Sequence, residues 1–490
     1  MFYPGIEEVK ELAKDYNVIP VSMEVYADME TPISIFRRFG GTDSFLLESV
    51  EGGEKWARYS FVGRNPYMQI IGIDNVVEVK ANNQKTRFEG NPVKILKETI
   101  KQYKAPKLKN IPRFSGGAVG FIGYDVVRFY EKLPDIKEND TGIPDFQFML
   151  TDEIIAYDHL TQKIHIIVNL HVNEQLEREY LSVTQRIREI YSEIKLGRSK
   201  LEAELKAEGL KEEFVLKGSL SKEEYCIGVE KAKEHIKSGD IFQVVLSQRF
   251  EIETKQEPLN IYRALRVINP SPYMYFLNFG GYSIIGSSPE RLVRVEDGIV
   301  ETCPIAGTRR RGISEQEDKA LEDELLADKK ELAEHTMLVD LGRNDVGKVS
   351  EFGTVKVKNF MHIERYSHVM HIVTDVEGKL RKDKDCFDAL TAIMPAGTLS
   401  GAPKVMAMTI IDEIEKTRRG AYGGAIGYVG FDGTMDTCIT IRTLIYEKGK
   451  AYLQAGAGIV ADSVPEKEYD ETCRKAEALL KAIREAGEII

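Results

Sequence analysis

Along the first 170 residues, short apolar or alternating runs recur at 44–50, 58–62, 68–73, 76–79, 116–122, 147–151, 154–157 and 163–170, mostly separated by Gly, Asn or Asp. Runs of that length between turn formers predict strands. From 173 to about 195 the period changes: Leu176, Tyr180, Val183, Ile187, Ile190 and Ile194 recur every three or four residues, the stripe of an amphipathic helix. The segment 197–220 is highly charged and aperiodic, and the domain boundary is placed in it, giving parts 1–215 and 216–490. Beyond it a helix over 221–238 opens with a capping-box pattern, Ser-Lys-Glu-Glu. Strands are expected at 242–252, 273–277, 283–287, 292–295, 425–431, 437–447 and 450–455, and helices at 259–268 and, as one long element, 314–341. A last helix takes Ser463 as N-cap, with Pro465 in its first turn and Glu466 three residues on. Strands and helices are mixed without strict alternation, which points to an α+β fold of layered β-sheets with surrounding helices.

Composition narrows the function classes. A chain of 490 residues with 42% hydrophobic and 30% charged residues folds as a soluble protein with more than one core. A net charge of −11 argues against nucleic acid as a partner, and Arg309, Arg310 and Arg311 make the densest basic run. The five cysteines lie far apart, with no metal-ligand spacing, and read as reduced. The N-terminus has neither a basic nor an apolar leader region, and no run of about 18 apolar residues occurs, so no membrane is expected and the setting reads as cytoplasmic.

Several constellations can carry chemistry. Glu331 and Glu334 share one helical face, with His335 beside them, and Glu468 and Glu471 share another. Such pairs ordinarily face water. Brought together they would repel, and a hard divalent cation such as Mg²⁺ would relieve that. A transition-metal site of Glu334, His335 and two further histidines is an alternative, although no HExxH is present. His368 and His371 fall in a stretch, 367–377, that reads as a strand and would face them apart. Gly456-Ala-Gly458 with Ala461 matches the dinucleotide pattern G-x-G-x-x-A, but Asp462-Ser-Val-Pro465 intervenes before the helix. A turn there, structural or holding a small carboxylate on its N–H groups, fits better, with Arg442 as a bidentate clamp.

Taken together, Pro304-Ile-Ala-Gly-Thr-Arg309, Glu334-His-Thr-Met-Leu-Val-Asp-Leu-Gly-Arg-Asn-Asp345, Pro395-Ala-Gly-Thr-Leu-Ser-Gly-Ala-Pro-Lys404 and Gln454-Ala-Gly-Ala-Gly458 through Asp470-Glu-Thr472 resemble the chorismate-utilising enzymes over roughly 221–483. Leu46-Leu-Glu-Ser49 and Trp56-Ala-Arg-Tyr-Ser-Phe-Val62 resemble the companion domain of anthranilate synthase large subunits. The resemblance implies two parts interlocked around layered sheets. It implies that Glu334 and Glu471, with Glu331 and Glu468 close by, hold Mg²⁺ for the ring carboxylate of chorismate. Gly307, Thr308 and Thr398 would line the ring. Tyr422, Arg442 and the backbone of Gly456, Ala457 and Gly458 would hold the enolpyruvyl carboxylate. Glu290 would be the acid for the departing 4-hydroxyl, with a pKa raised by burial, and His371 would serve the later loss of pyruvate.

Relatives that make aminodeoxychorismate commonly carry lysine where Ala306 stands, and isochorismate synthases carry it where Gln243 stands. Alanine offers no amine nucleophile, and ammonia needs no base. The resemblance thus favours ammonia attack at C2 followed by pyruvate loss, the two relatives and a catalytically dead tryptophan-sensing subunit remaining as alternatives. No G-x-C-x-G elbow is present, so a separate glutamine amidotransferase subunit is expected. Ser49, with Pro272, Tyr273 and Met274 of Asn269-Pro-Ser-Pro-Tyr-Met274, resembles a tryptophan feedback site; an ordinary strand and turn are the alternative.

Overall fold

The computed structural model describes residues 1–49, 58–134, 137–196, 217–366 and 369–489. The Trp56-Ala57 end of the second N-terminal motif, His368 and most of the segment expected to divide the chain lie outside them. Two large antiparallel sheets run through both halves of the sequence. In the first, Val18–Tyr26, Lys163–His171, Glu153–Asp158, Tyr59–Arg64 and Ser44–Glu48 lead to Tyr273–Asn278, Ser283–Ser288, Thr443–Glu447, Lys450–Ile459 and Gln243–Glu253. The halves join where Ser44–Glu48 pairs Tyr273–Asn278, with Glu48 opposite Met274. In the second sheet, Ile305–Arg310, Val369–Lys379, Ile299–Thr302, Arg291–Glu296, Met435–Ile439 and Ala425–Gly430 continue into Gly117–Ile122 and Phe146–Thr151. Each half therefore supplies part of each sheet, and the fold is α+β with interlocked parts.

The central strands of both sheets are buried on both faces, which is why they read as continuous apolar runs, while Gln84–Glu89 and Lys356–Arg365 at the margins are largely exposed. Along Ser44–Glu48, Phe45 faces a core between the sheets, where it joins Phe61, Phe121, Tyr275 and Tyr428. Leu46 faces an outer core under Pro258–Ile268, Leu176–Leu196 and Pro465–Ala486. That is the period of two expected of a strand. A third core packs Cys386–Ile393 and Pro92–Ile100 against the outside of the second sheet. No helix among the described residues is long and apolar enough to cross a membrane.

Several elements differ from the sequence expectation. The long helix 314–341 is two, Glu315–Ala327 and Lys329–Gly347, because Asp328 turns extended and accepts from the backbone N–H groups of Lys330 and Glu331. The run 437–447 is two strands in different sheets, Met435–Ile439 and Thr443–Glu447. Gly456–458 form no turn but lie inside Lys450–Ile459, opposite Val245–Ser247. Val464, not Ser463, caps the last helix; the Ser463 hydroxyl accepts from Val460 N at 3.1 Å instead, and Pro465 is in the first turn as expected. Ile6–Leu12, Pro32–Phe39 and Pro92–Ile100 are helices in a region expected to be mostly β.

Candidate active site

The chain leaves the second sheet at Ile439 and enters the first at Thr443, and the site is built around that crossing. Arg442 makes the turn in the left-handed region, φ 52°, which side chains other than glycine seldom adopt. It is held there at both ends: Ser287 N donates to its carbonyl at 3.1 Å, and its Nη1 donates to Lys475 O at 3.2 Å. Burial lowers its pKa, opposed by Tyr422 and Glu471. Among the described residues no carboxylate lies in ion-pair distance of it, which leaves the guanidinium to an incoming anion. Pairing of Lys450–Ile459 with Thr443–Glu447 stops at Leu453, so the backbone of Gly456–458 has a strand on one side only. A Cβ on Gly456 would sit 2.7 Å from Tyr422 Oη and 2.9 Å from Leu246 O. Glycine there is what lets Tyr422 close over the strand.

The acidic pairs reach the same strand from two sides. Gln243 Nε2 donates to Glu334 Oε1 at 3.1 Å and lies 2.7 Å from where a Cβ on Gly458 would be. Lys475 Nζ meets Glu471 Oε1 at 2.7 Å and Gly456 O at 2.9 Å. Glu331 sits 3.5 Å from Arg309; burial raises its pKa, and Glu334 adds to the rise. Burial also raises that of Glu468, with Glu471 adding to it and Ser463 opposing. Among the described residues no three acidic, histidine or cysteine side chains are gathered as a metal set. His335 is wholly buried, bonds Thr374 Oγ1 through Nε2 at 2.6 Å, and is pushed down to about 4 by burial. It is a core histidine, not a partner of Glu334.

Glu290 and Thr398 line a cleft of about 340 Å³ with Pro304, Leu338, Gly397 and Ile439. Thr398 Oγ1 donates to Glu290 Oε1 at 2.9 Å. Burial nevertheless pushes the Glu290 carboxyl up to about 8, against the pull of Thr398 and Lys475. At neutral pH it is an acid with a proton to give. At the edge of the second sheet, Thr308 pairs with His371 across a bulge at Gly307, φ 67°. His371 Nδ1 lies 3.0 Å from both Gly307 O and Thr308 Oγ1. A carbonyl only accepts, so Nδ1 carries the ring proton and Nε2 is left with its lone pair. Burial lowers the His371 pKa, keeping it neutral; Gly307 opposes this and Arg442 assists.

Ser49, Pro272, Tyr273 and Met274 all line a separate cavity of about 580 Å³ between the two sheets. Glu48 prepares its rim: the buried carboxylate accepts from Tyr262 Oη at 2.7 Å and Arg266 Nε at 3.0 Å.

Lys475 and Arg419 take no part in the sequence analysis, and Gln243 enters it only as the place where a lysine is missing. Lys475 was legible in principle, one turn after Glu471. The bond from Gln243 to Glu334 joins residues 91 positions apart and appears only in three dimensions. Buried Arg419 donates to Leu399 O at 2.6 Å and Val245 O at 2.7 Å while pairing with Glu415, fixing the Thr398 loop against the Gln243 strand.

The family described as chorismate binding enzyme matches residues 45–481. Anthranilate synthase component 1 of Acetivibrio thermocellus is 64% identical over 493 residues, covering 100% of both chains. That of Aquifex aeolicus is 49% identical over 99% of this chain and 98% of its own. The crystal structure of anthranilate synthase component I from Streptococcus pneumoniae superposes with a TM-score of 0.76 at 39% identity, covering 93% of this chain and 98% of that one.

Proposed function

The chain belongs to the chorismate-binding enzymes, and from that premise we propose that it is the chorismate-converting component of an anthranilate synthase. The reaction is chorismate and ammonia to anthranilate, pyruvate and water, a step toward tryptophan. The observation that carries it is a buried, protonated Glu290 that feels the charge of Lys475, whose carbonyl holds Arg442, while Arg442 in turn acts on a neutral His371 that keeps its proton on Nδ1.

Arg442, Tyr422 and the one-sided strand at Gly456–458 hold the enolpyruvyl carboxylate. Glu290, steadied by Thr398, gives its proton to the departing 4-hydroxyl, which leaves as water while ammonia bonds to C2. His371 Nε2 then takes the C2 proton as the enolpyruvyl C–O bond breaks, and the enol becomes pyruvate. Neutral His371 is the form that can do so. Ala306 offers no amine nucleophile at the ring, and Gln243, bonded to Glu334, offers no base for water; both favour ammonia.

Burial raises the Glu331 and Glu468 carboxyls, and Glu334 and Glu471 beside them add to it; two oxygen-only pairs of this kind suit a hard divalent cation. Glu334 and Glu471 would hold Mg²⁺, with Glu331 and Glu468 alongside. When bound it supplies positive charge for the ring carboxylate.

A glutamine amidotransferase subunit is the proposed ammonia source, and the cytoplasm the proposed setting, in keeping with five free thiols. We read the intersheet cavity as an inhibitor site for tryptophan. Its walls carry Tyr59, Phe61 and Tyr428, and an Arg113–Asp436 pair 3.5 Å apart that the charged ends of an amino acid would open. Nitrogen source tests the assignment: the chain alone should turn over chorismate with ammonium chloride and not with glutamine. Glutamine-dependent turnover by the chain alone would contradict it.

A further inference from the structure

The intersheet cavity and the catalytic cleft share a wall. Arg291 lines both, and Glu290 precedes it in the chain. On the cavity side Arg291 Nε donates to Tyr273 Oη at 3.2 Å, and Tyr273 Oη donates to Asp436 Oδ1 at 3.0 Å. Its Nη1 also pairs with Glu301 at 3.0 Å. On the cleft side the Glu290 carbonyl accepts from Ile439 N at 3.0 Å, where the crossing to Arg442 begins. A shift of Tyr273 therefore reaches the acid through one side chain and one peptide unit.

A second connection runs through Ser287. Its hydroxyl accepts from Asn269 Nδ2 at 3.0 Å, bonds Asn269 O, and meets Ser271 Oγ at 2.9 Å. These are residues of the short loop that ends in Pro272 at the cavity. The backbone N–H of the same Ser287 donates to Arg442 O at 3.1 Å. Ser287 is fully buried, opposite Met274 in the sheet, so loop, strand and left-handed turn move together or not at all.

We propose that Ser287 and Arg291 are positioning residues that carry occupancy of the intersheet cavity to the active site by two routes, Ser287 to Arg442 and Arg291 to Glu290. The inference rests on reading the cavity as an effector site and the cleft as the catalytic one. The routes act on different constants. Displacing the loop from Ser287 moves the anion clamp and raises KM for chorismate. Drawing Tyr273 away from Arg291 moves the acid and lowers kcat.

The test uses the whole chain with chorismate, Mg²⁺ and ammonium, and L-tryptophan as the probe, with calorimetry for binding and initial rates for KM and kcat. Ser287→Ala removes the loop contacts and keeps the N–H to Arg442. It should bind tryptophan within about threefold of wild type, because the Ser287 side chain does not line the cavity. The factor by which saturating tryptophan raises KM should fall at least tenfold, with the kcat effect retained. Arg291→Lys should show the converse, and the basic limb of its kcat–pH profile should no longer shift on adding tryptophan. Ser271→Ala, which removes a single contact, gives a milder loss of the KM effect if Ser287→Ala does not fold. Variants that bind tryptophan and are inhibited as wild type, with the same split between KM and kcat, would overturn the routes. Wild type that binds no tryptophan would overturn the reading of the cavity and the proposal with it.

Discussion

Replacing Glu290 by Gln keeps the shape of the side chain and its bond from Thr398 but takes away the proton. The Glu290 carboxyl rises from 4.5 to about 8 because burial strips water from its charged form. At about 1.4 kcal/mol per pH unit, that is about 5 kcal/mol between its two protonation states. Between those values the folded chain binds a proton that the unfolded chain has released, so this group makes stability fall as pH rises through the window. Relative to a glutamine, which does not titrate, the wild-type side chain costs about 2 kcal/mol at pH 6 and about 5 kcal/mol above pH 8. Urea unfolding of wild type and Glu290→Gln, side by side at pH 6 and pH 9, should thus show their difference widening by about 3 kcal/mol in favour of the variant. The same protonation governs chemistry: wild-type kcat should fall as pH rises through about 8, and the variant should lose roughly 10²–10⁴ of kcat. A difference in stability that does not change with pH, or a variant of near wild-type kcat, would refute the assignment of a buried acid.

Arg442→Ala should raise KM for chorismate roughly 10- to 100-fold, the worth of charge-assisted hydrogen bonds of about 1.5–3 kcal/mol, and a KM within twofold of wild type would count against the clamp. His371→Ala should still consume chorismate and ammonium but release pyruvate roughly 10²-fold more slowly, so mass analysis should find an aminated intermediate; equal loss of both steps would contradict the division of labour. Removing divalent metal with a chelator should abolish turnover while leaving the unfolding midpoint nearly unchanged, because Gln243 and Lys475 hold Glu334 and Glu471 without it; activity that survives chelation refutes the metal reading. Ser49→Arg places a long cation at the intersheet cavity and should weaken tryptophan inhibition at least tenfold, whereas full sensitivity would remove Ser49 from the site.

Gly307, Thr308, Thr398 and Gly456–458 stand in long contiguous motifs, and the helical pairs Glu331/Glu334 and Glu468/Glu471 follow from spacing, whereas Glu290, His371, Tyr422 and Arg442 stand outside those motifs and carry no spacing signal of their own. The architecture around them was less legible. Nothing in Thr437 to Glu447 announces a break: no Gly or Pro interrupts the run, and the chain changes sheet on the positive φ of an arginine. Asp328 reads as one more charge in an acidic helix, yet its carboxylate ends one helix and caps the next. The short helix at Pro32 had a readable signal, Thr31 accepting from Ser34 N before a proline, that the neighbouring strand runs obscured. Gly456 and Gly458 suggest a turn in sequence, but their task is close approach, leaving room for Tyr422 and Gln243 over a strand. Pairings such as Gln243 with Glu334 join residues far apart in the chain, and no local pattern encodes them.

A site that adds nitrogen at C2 and then expels pyruvate leaves that nitrogen on the ring and releases three carbons. The most direct measurement is to incubate the chain with chorismate, Mg²⁺ and ¹⁵N-ammonium, and to separate the products by mass. Anthranilate carrying one label and an equal amount of pyruvate should form. Isochorismate, or a labelled aminodeoxychorismate without pyruvate, would contradict that reaction.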